Sequence, residues 1–215
     1  MAGFCYLAFQ MLLLPSLLVF INGTLDAPLP DAELNFIFYL TNFIAVLVIF
    51  HDFLNQSLHQ ALSHPADLCQ AVILGFVAYY ACFYVVNTLA TMLVPTYSNY
   101  NDEAIAAMNQ GNAFLMLVGT VVLVPPVEEC LYRGLIFRNL LGKNRVAAYA
   151  VSMVVFAAIH ILGYIGQYSP LELLVAVVQY LPAGLCLAWS YYKGGTIFAP
   201  IFIHAAVNYL TIRTL

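Results

Sequence analysis

Two adjacent glutamates and an arginine, Glu128, Glu129 and Arg133, interrupt an apolar run just after Pro125-Pro126. Further on, His160 and the pair His204 and Asn208 interrupt two more apolar runs. An ionisable group at membrane depth costs at least about 2.5 kcal/mol, so such groups need one another, a water-filled cavity or a task. A carboxylate and an imidazole together can take a proton from water and make it a nucleophile. A second imidazole and a carboxamide can donate hydrogen bonds to the oxyanion formed when water attacks a carbonyl. Glu128, His160, His204 and Asn208 therefore make a complete set for amide hydrolysis without a covalent intermediate.

Spacing divides the roles. Glu129 and Arg133 are four residues apart, so they share a helical face and can pair. Glu128 points about 100° away, which leaves it free to face the histidines. His204 and Asn208 also share a face, and Phe156 sits one turn below His160. Taken singly, a buried histidine is most often a satisfied core residue and a Glu–Arg pair a structural ion pair. Depth links them. At 1.5 Å per residue, Glu128 lies roughly 15 Å of helix from Arg138 and His160 roughly 21 Å from Val146. On the same scale His204 and Asn208 lie roughly 12 and 18 Å from Thr196. Three helices thus bring these groups to similar depth.

The rest of the 215-residue chain must hold them in lipid. It is 64% hydrophobic and 7% charged, against about 25% charged in a soluble domain, so it cannot cover a water-facing surface. The expected fold is all-α: a polytopic transmembrane bundle of about seven spans, within a range of six to eight. A span needs about 20 apolar residues. The runs are Phe4–Ile21, Leu34–Leu54, Ala66–Val94, Ala113–Leu140 (or from near Glu103), Val146–Gly163, Leu171–Tyr192 and Thr196–Arg213. The first lacks the basic flank and cleavage site of a signal peptide and is expected to be retained. Residues 1–112 form an N-terminal group of helices, and residues 113–215 the catalytic core. Asn55–Pro65 and the polar stretch Pro95–Gln110 are expected connections.

Arg138, Lys143, Arg145 and Lys193 fall on one side of this arrangement, which the positive-inside rule makes cytoplasmic. The acidic connections fall opposite, and the site is expected to open towards the cytoplasm, in a bacterial plasma membrane. There is no basic stripe for nucleic acid. Five dispersed cysteines give neither a disulfide framework nor a metal pair. Glu172, at the start of a span, is expected to be an interfacial helix-start acid, and His51, His59 and His64 to be solvated. Pro125-Pro126 is expected to kink or loosen its helix beside the site.

Three short motifs stand in order: Glu128-Glu129-Cys130-Leu131-Tyr132-Arg133, Phe156-Ala157-Ala158-Ile159-His160 and His204-Ala205-Ala206-Val207-Asn208. Together they resemble Glu-Glu-x-x-x-Arg, Phe-x-x-x-His and His-x-x-x-Asn of the CPBP family of intramembrane glutamic endopeptidases, also called the CAAX-protease and bacteriocin-processing or Abi family. The resemblance covers about Leu117–Leu210. Tyr132 stands where many members have Phe. It implies an endopeptidase in which Glu128 with His160 activates water, His204 with Asn208 forms the oxyanion site, and Glu129 with Arg133 supports the first helix. Implied substrates are prenylated CAAX tails or bacterial peptide precursors, met within the bilayer. No metal or other cofactor is favoured; the alternative is a Zn²⁺ held by Glu128, His160 and His204. The family also contains non-proteolytic regulators and bacteriocin-immunity proteins, whose partners are a sensor kinase or a bacteriocin. A proton-coupled transporter would also use buried Glu and His, but the chain has no repeat to build one.

Overall fold

The computed structural model describes residues 2–95 and 97–215. Thr96, within the polar 95–110 connection, lies outside the described residues.

Long apolar sequences wind into helices because lipid offers no partner for the main chain, so each segment must satisfy its own N–H and C=O groups. Among the described residues six helices are long and apolar enough to cross a membrane: α1 (Gly3–Gly23), α2 (Asp31–Ile49), α4 (Pro65–Leu93), α6 (Ala113–Leu141), α7 (Arg145–Tyr164) and α8 (Pro170–Gly194). The seventh expected span is α9 (Phe198–Thr214), with 17 residues. At 1.5 Å per residue α9 is roughly 25 Å long, slightly less than a typical hydrocarbon core.

Two expected connections are helical instead. The Leu34–Leu54 run stops at Ile49, where Phe50 leaves helical geometry, and α3 (His51–Ser63) then fills most of Asn55–Pro65. This helix buries Ser57 and Ala61 and exposes its histidines, so it is amphipathic rather than spanning. Similarly α5 (Tyr100–Gly111) occupies most of the 95–110 stretch. Asn99 caps α5 by accepting from the N–H groups of Asn101 and Asp102, and Asn112 opens α6 by accepting from Leu115. An extended Asn112 therefore separates α5 from α6, so the fourth span does not begin near Glu103.

Two helices are central. Half of the spanning window of α6 and of α8 is buried, against 17–22% in the other candidate spans. Helix α8 packs along α4 and α7, and α9 rests on α4, α8 and the first half of α6. The shared core contains Val46, Leu131, Tyr132, Phe156, Leu187 and Ile203. Large side chains such as Leu12, Phe20, Leu62, Val48 and Met92 remain on the outside, where hydrocarbon replaces a partner.

The two central helices carry backbone irregularities. Helix α6 is π-wound at Gly119–Leu123 and again at Cys130–Phe137, on either side of Val124–Glu129. Helix α8 starts with a capping box between Ser169 and Glu172, the helix-start role expected of that acid, and ends at Gly195 with φ 65°. Close approach also matters: a Cβ on Gly184 would meet the Met153 Cα at 2.8 Å. Glycine there lets α7 and α8 touch backbone to backbone.

Candidate active site

The first π-wound stretch of α6 frees a carbonyl. Val124 donates its N–H to Gly119 O, and Pro125 has no N–H to give. Thr120 O is thereby left without its usual main-chain donor, and Asn208 Nδ2 fills that role at 2.8 Å. The N–H that Pro125 lacks is thus replaced by a bond that ties α6 to α9. The proline pair precedes the two glutamates on one short α-wound segment.

Glu129 and Glu128 point into different surroundings. Glu129 and Arg133 are fully buried, and Arg133 Nη1 donates to Glu129 Oε1 at 3.0 Å. Arg133 Nη2 reaches the carbonyls of Ala183 and Gly184 on α8 at 3.4 and 3.1 Å. Its guanidinium lies over the Phe156 ring at 4.7 Å. Arg133 therefore bridges α6, α7 and α8 from one point. The side chain of Glu128, in contrast, is 21% exposed and lines an internal cavity of about 400 Å³.

The two histidines are held differently. His160, near the end of α7, donates Nδ1–H to Phe156 O at 2.8 Å. Its Nε2 consequently carries the lone pair in the neutral ring, and that atom faces Glu128 Oε2 across 3.9 Å. Tyr180 of α8 stacks on the ring, with centroids 4.3 Å apart. His204 has Nδ1 at 2.8 Å from Glu129 Oε1. The expectation that Glu128 would face both imidazoles and Glu129 only Arg133 is corrected here. The 100° offset is real, but α9 approaches α6 on the Glu129 side, so Glu129 anchors His204 and Arg133 together.

Glu128, His160, His204 and Asn208 all line the one cavity, so the structure brings the four residues together from three helices. His51, His59 and His64 are exposed and remote from it. Other polar liners carried no motif: Asn99 and Asp102 at the start of α5, and Gln179 and Tyr180 on α8. A tyrosine beside His160 could not be assigned without knowing that α8 packs on α7. The sole sequence hint was a Gln-Tyr pair amid an apolar run, before Pro182.

Metal binding by Glu128, His160 and His204 would fall to the Nε2 atoms of the two histidines. Both Nδ1 atoms are engaged by protein acceptors, and the His204 contact is to the neighbouring glutamate. Among the described residues no three His, Cys, Asp or Glu side chains form a group arranged to hold a metal ion.

The cavity also bears on orientation. Asn99, Asp102 and Tyr164 belong to the end of the bundle where α4 finishes, α5 lies and α7 finishes. Arg138, Lys143, Arg145 and Lys193 lie at the other end. The polar liners Asn99, Asp102 and Tyr164 thus stand at the end of the bundle opposite the basic loops. Counting helix from Arg138 and Val146 established a shared depth. The polar lining, supplied by the α5 segment, gave the end to which the cavity belongs.

A family model described as Type II CAAX prenyl endopeptidase Rce1-like matches residues 110–210. That stretch holds all three motifs and the four cavity residues named above. No curated protein and no solved structure matches the chain.

Proposed function

We infer, from a chain that over residues 110–210 belongs to the CAAX-protease family, that this multi-pass membrane protein is an intramembrane endopeptidase using Glu128 as general base. One observation carries the reading: Glu128 Oε2 is a buried acceptor with no partner, 3.9 Å from the unprotonated Nε2 of His160. A water in that gap would give one hydrogen bond to each atom, with its oxygen turned towards the cavity.

The reaction then runs in two proton transfers. Glu128 takes a proton from the water while its oxygen bonds to the scissile carbonyl carbon, and His160 Nε2 holds the second hydrogen. Asn208 has one amide hydrogen on Thr120 O and a second to offer the oxyanion. In its imidazolium form, His204 keeps Nδ1–H on Glu129 and offers Nε2–H to the same oxyanion. As the C–N bond breaks, protonated Glu128 returns its proton to the leaving amine. Glu129 and Arg133 touch no reacting atom and act as positioning residues. We propose that water activation proceeds without a metal, because the Asn208 carboxamide one turn from His204 suits oxyanion donation rather than ligation.

Prenylated CAAX tails and bacterial peptide precursors are the proposed substrate classes. A fluorogenic panel containing both, with purified protein in detergent, tests the reading. Cleavage lost in Glu128→Gln and unaffected by chelator is the expected result. Full activity of a folded Glu128→Gln protein would overturn it, and chelator sensitivity would restore the metal alternative. Cytoplasmic basic loops would make the cavity end extracytoplasmic. Single cysteines introduced at Asn101 and Lys143, labelled with an impermeant thiol reagent on intact cells, test that orientation. Labelling at 143 and not at 101 would reverse it.

A further inference from the structure

The polar end of the cavity contains more hydrogen-bonding capacity than peptide hydrolysis requires. Asp102 lies in the first turn of α5 and lines the cavity. Among the described residues its carboxylate has no hydrogen-bond or ion-pair partner, and no lysine or arginine lines the cavity. A first-turn acid complements the positive end of a helix dipole, which would explain an exposed aspartate. Asp102 is instead half-buried, and that burial raises its carboxyl to about 6.

A second group points the same way. Gln179 is only 7% exposed and also lines the cavity. Its Nε2 donates to Asn87 Oδ1 at 2.8 Å, but its Oε1 has no partner. A buried acceptor left unsatisfied is unfavourable, and so is a desolvated carboxylate without a counter-charge. Both deficits are of one sign, since each of the two groups is an acceptor, and no lysine or arginine lines the cavity beside them. Asn99 adds nothing to that demand, since its Oδ1 already accepts from Tyr180 Oη and two backbone N–H groups.

We propose that the Asp102–Gln179 end of the cavity is a recognition pocket for a basic side chain, Lys or Arg, of the substrate near its scissile bond. The inference rests on the endopeptidase reading and adds the substrate's charge. An ammonium or guanidinium supplies the donors and the counter-charge that these two groups lack. A cavity of about 400 Å³ accommodates such a side chain in addition to the reacting peptide bond.

The test separates binding from cleavage. A peptide in which lysine is walked through each position, with norleucine and glutamate as replacements, is bound to the Glu128→Gln protein and followed by fluorescence polarisation. At one position the lysyl and arginyl peptides should bind roughly tenfold tighter than the norleucyl one, as expected for a hydrogen bond to a charged group, and the glutamyl one more weakly still. Adding Asp102→Asn should level the series, whereas Asp102→Glu should keep the preference and so exclude general unfolding as the cause. Equal affinity at every position, a preference that survives Asp102→Asn, or no binding of any peptide overturns the proposal. Cleavage by the wild-type protein is read separately. A charge preference in binding with no cleavage of any peptide removes the endopeptidase reading alone. Cleavage without charge preference removes the basic pocket alone.

Discussion

His204 Nδ1 and Glu129 Oε1 are 2.8 Å apart, and Arg133 Nη1 donates to that same oxygen. Glu129 Oε2 has no partner. One buried carboxylate oxygen therefore fixes a histidine on α9 and an arginine that reaches α8, which makes Glu129 the fastening point of the site. Glu128, the adjacent residue, contributes nothing to that fastening and keeps its acceptor open.

The two glutamates should accordingly fail in different ways. Glu128→Gln should keep the protein folded and reduce kcat by about a hundredfold or more, the scale of a lost general base. Glu129→Ala and Arg133→Ala each strand a buried charge and should destabilise by about 3–5 kcal/mol. Thermal melts in detergent alongside the peptide assay check the contrast. Equal melting losses at both glutamates would contradict it.

Asn208 should affect turnover through both of its amide hydrogens. One holds the Thr120 carbonyl that Pro125 releases, and the other is assigned to the oxyanion. Asn208→Ala should lower kcat by about 10²–10³-fold, as removal of an oxyanion donor does elsewhere, with a smaller change in KM. Kinetics on one good peptide would decide; a pure KM effect would reassign the residue to substrate binding.

Tyr180 connects His160 with the α5 segment, stacking on the imidazole while its hydroxyl donates to Asn99 Oδ1. Tyr180→Phe keeps the ring and should cost little activity. Tyr180→Leu removes the stack and should depress kcat several-fold, with a changed pH profile because His160 loses its support. Unchanged profiles for both variants would show the stack to be passive packing.

Gly184 allows α7 and α8 to meet. A methyl group there would lie 2.8 Å from Met153 Cα, and backbone cannot step aside as a side chain can. Gly184→Ala should destabilise by about 1–3 kcal/mol and disturb the carbonyl that receives Arg133. A melting temperature equal to that of the wild type would contradict this.

The proposed charge preference should titrate. Asp102 ionises near pH 6, so the advantage of a lysyl peptide over a norleucyl one should be present above that pH and fade as pH falls through it. Tyr79 on α4, Tyr97, Tyr164 and Tyr180 carry phenols towards Asp102. Glu128, His160 and His204 face the same cavity, and Glu103 follows on α5. Their titration affects both peptides, so the lysyl-to-norleucyl ratio, compared with that of Asp102→Asn, isolates Asp102. A ratio flat from pH 5 to 8 would contradict the assignment.

Motif chemistry and helix periodicity make much of this site legible in the sequence itself. Four cavity residues share one depth because helical rise is constant and each interrupts an apolar run. The Glu129–Arg133 pair is a local property of a helix, readable from spacing. The bond from His204 to Glu129 is not, since it depends on the side from which α9 packs against α6. Asp102, Gln179 and Tyr180 were hidden for the same reason. Each looks ordinary in its own segment and acquires meaning only where α5 and α8 meet the cavity. Helix α3 was missed because a run judged by hydropathy passes through Phe50, whereas the backbone turns there.

The first π-wound stretch gives helix α6 a residue that neither membrane thickness nor register requires. A π-wound stretch holds one residue more than the α-turns it replaces, and each residue carries about 100° of rotation. Removing Val121 or Val122 would leave a helix still long enough to cross the bilayer, and still apolar. The π-wound stretch would rewind as α-helix, with Val124 still donating to Gly119, and the register on both sides of the deletion would hold. A gap of one residue at Gly119–Leu123 is therefore compatible with an unchanged placement of the paired glutamates, and a gap in an α-wound part of the same helix is not.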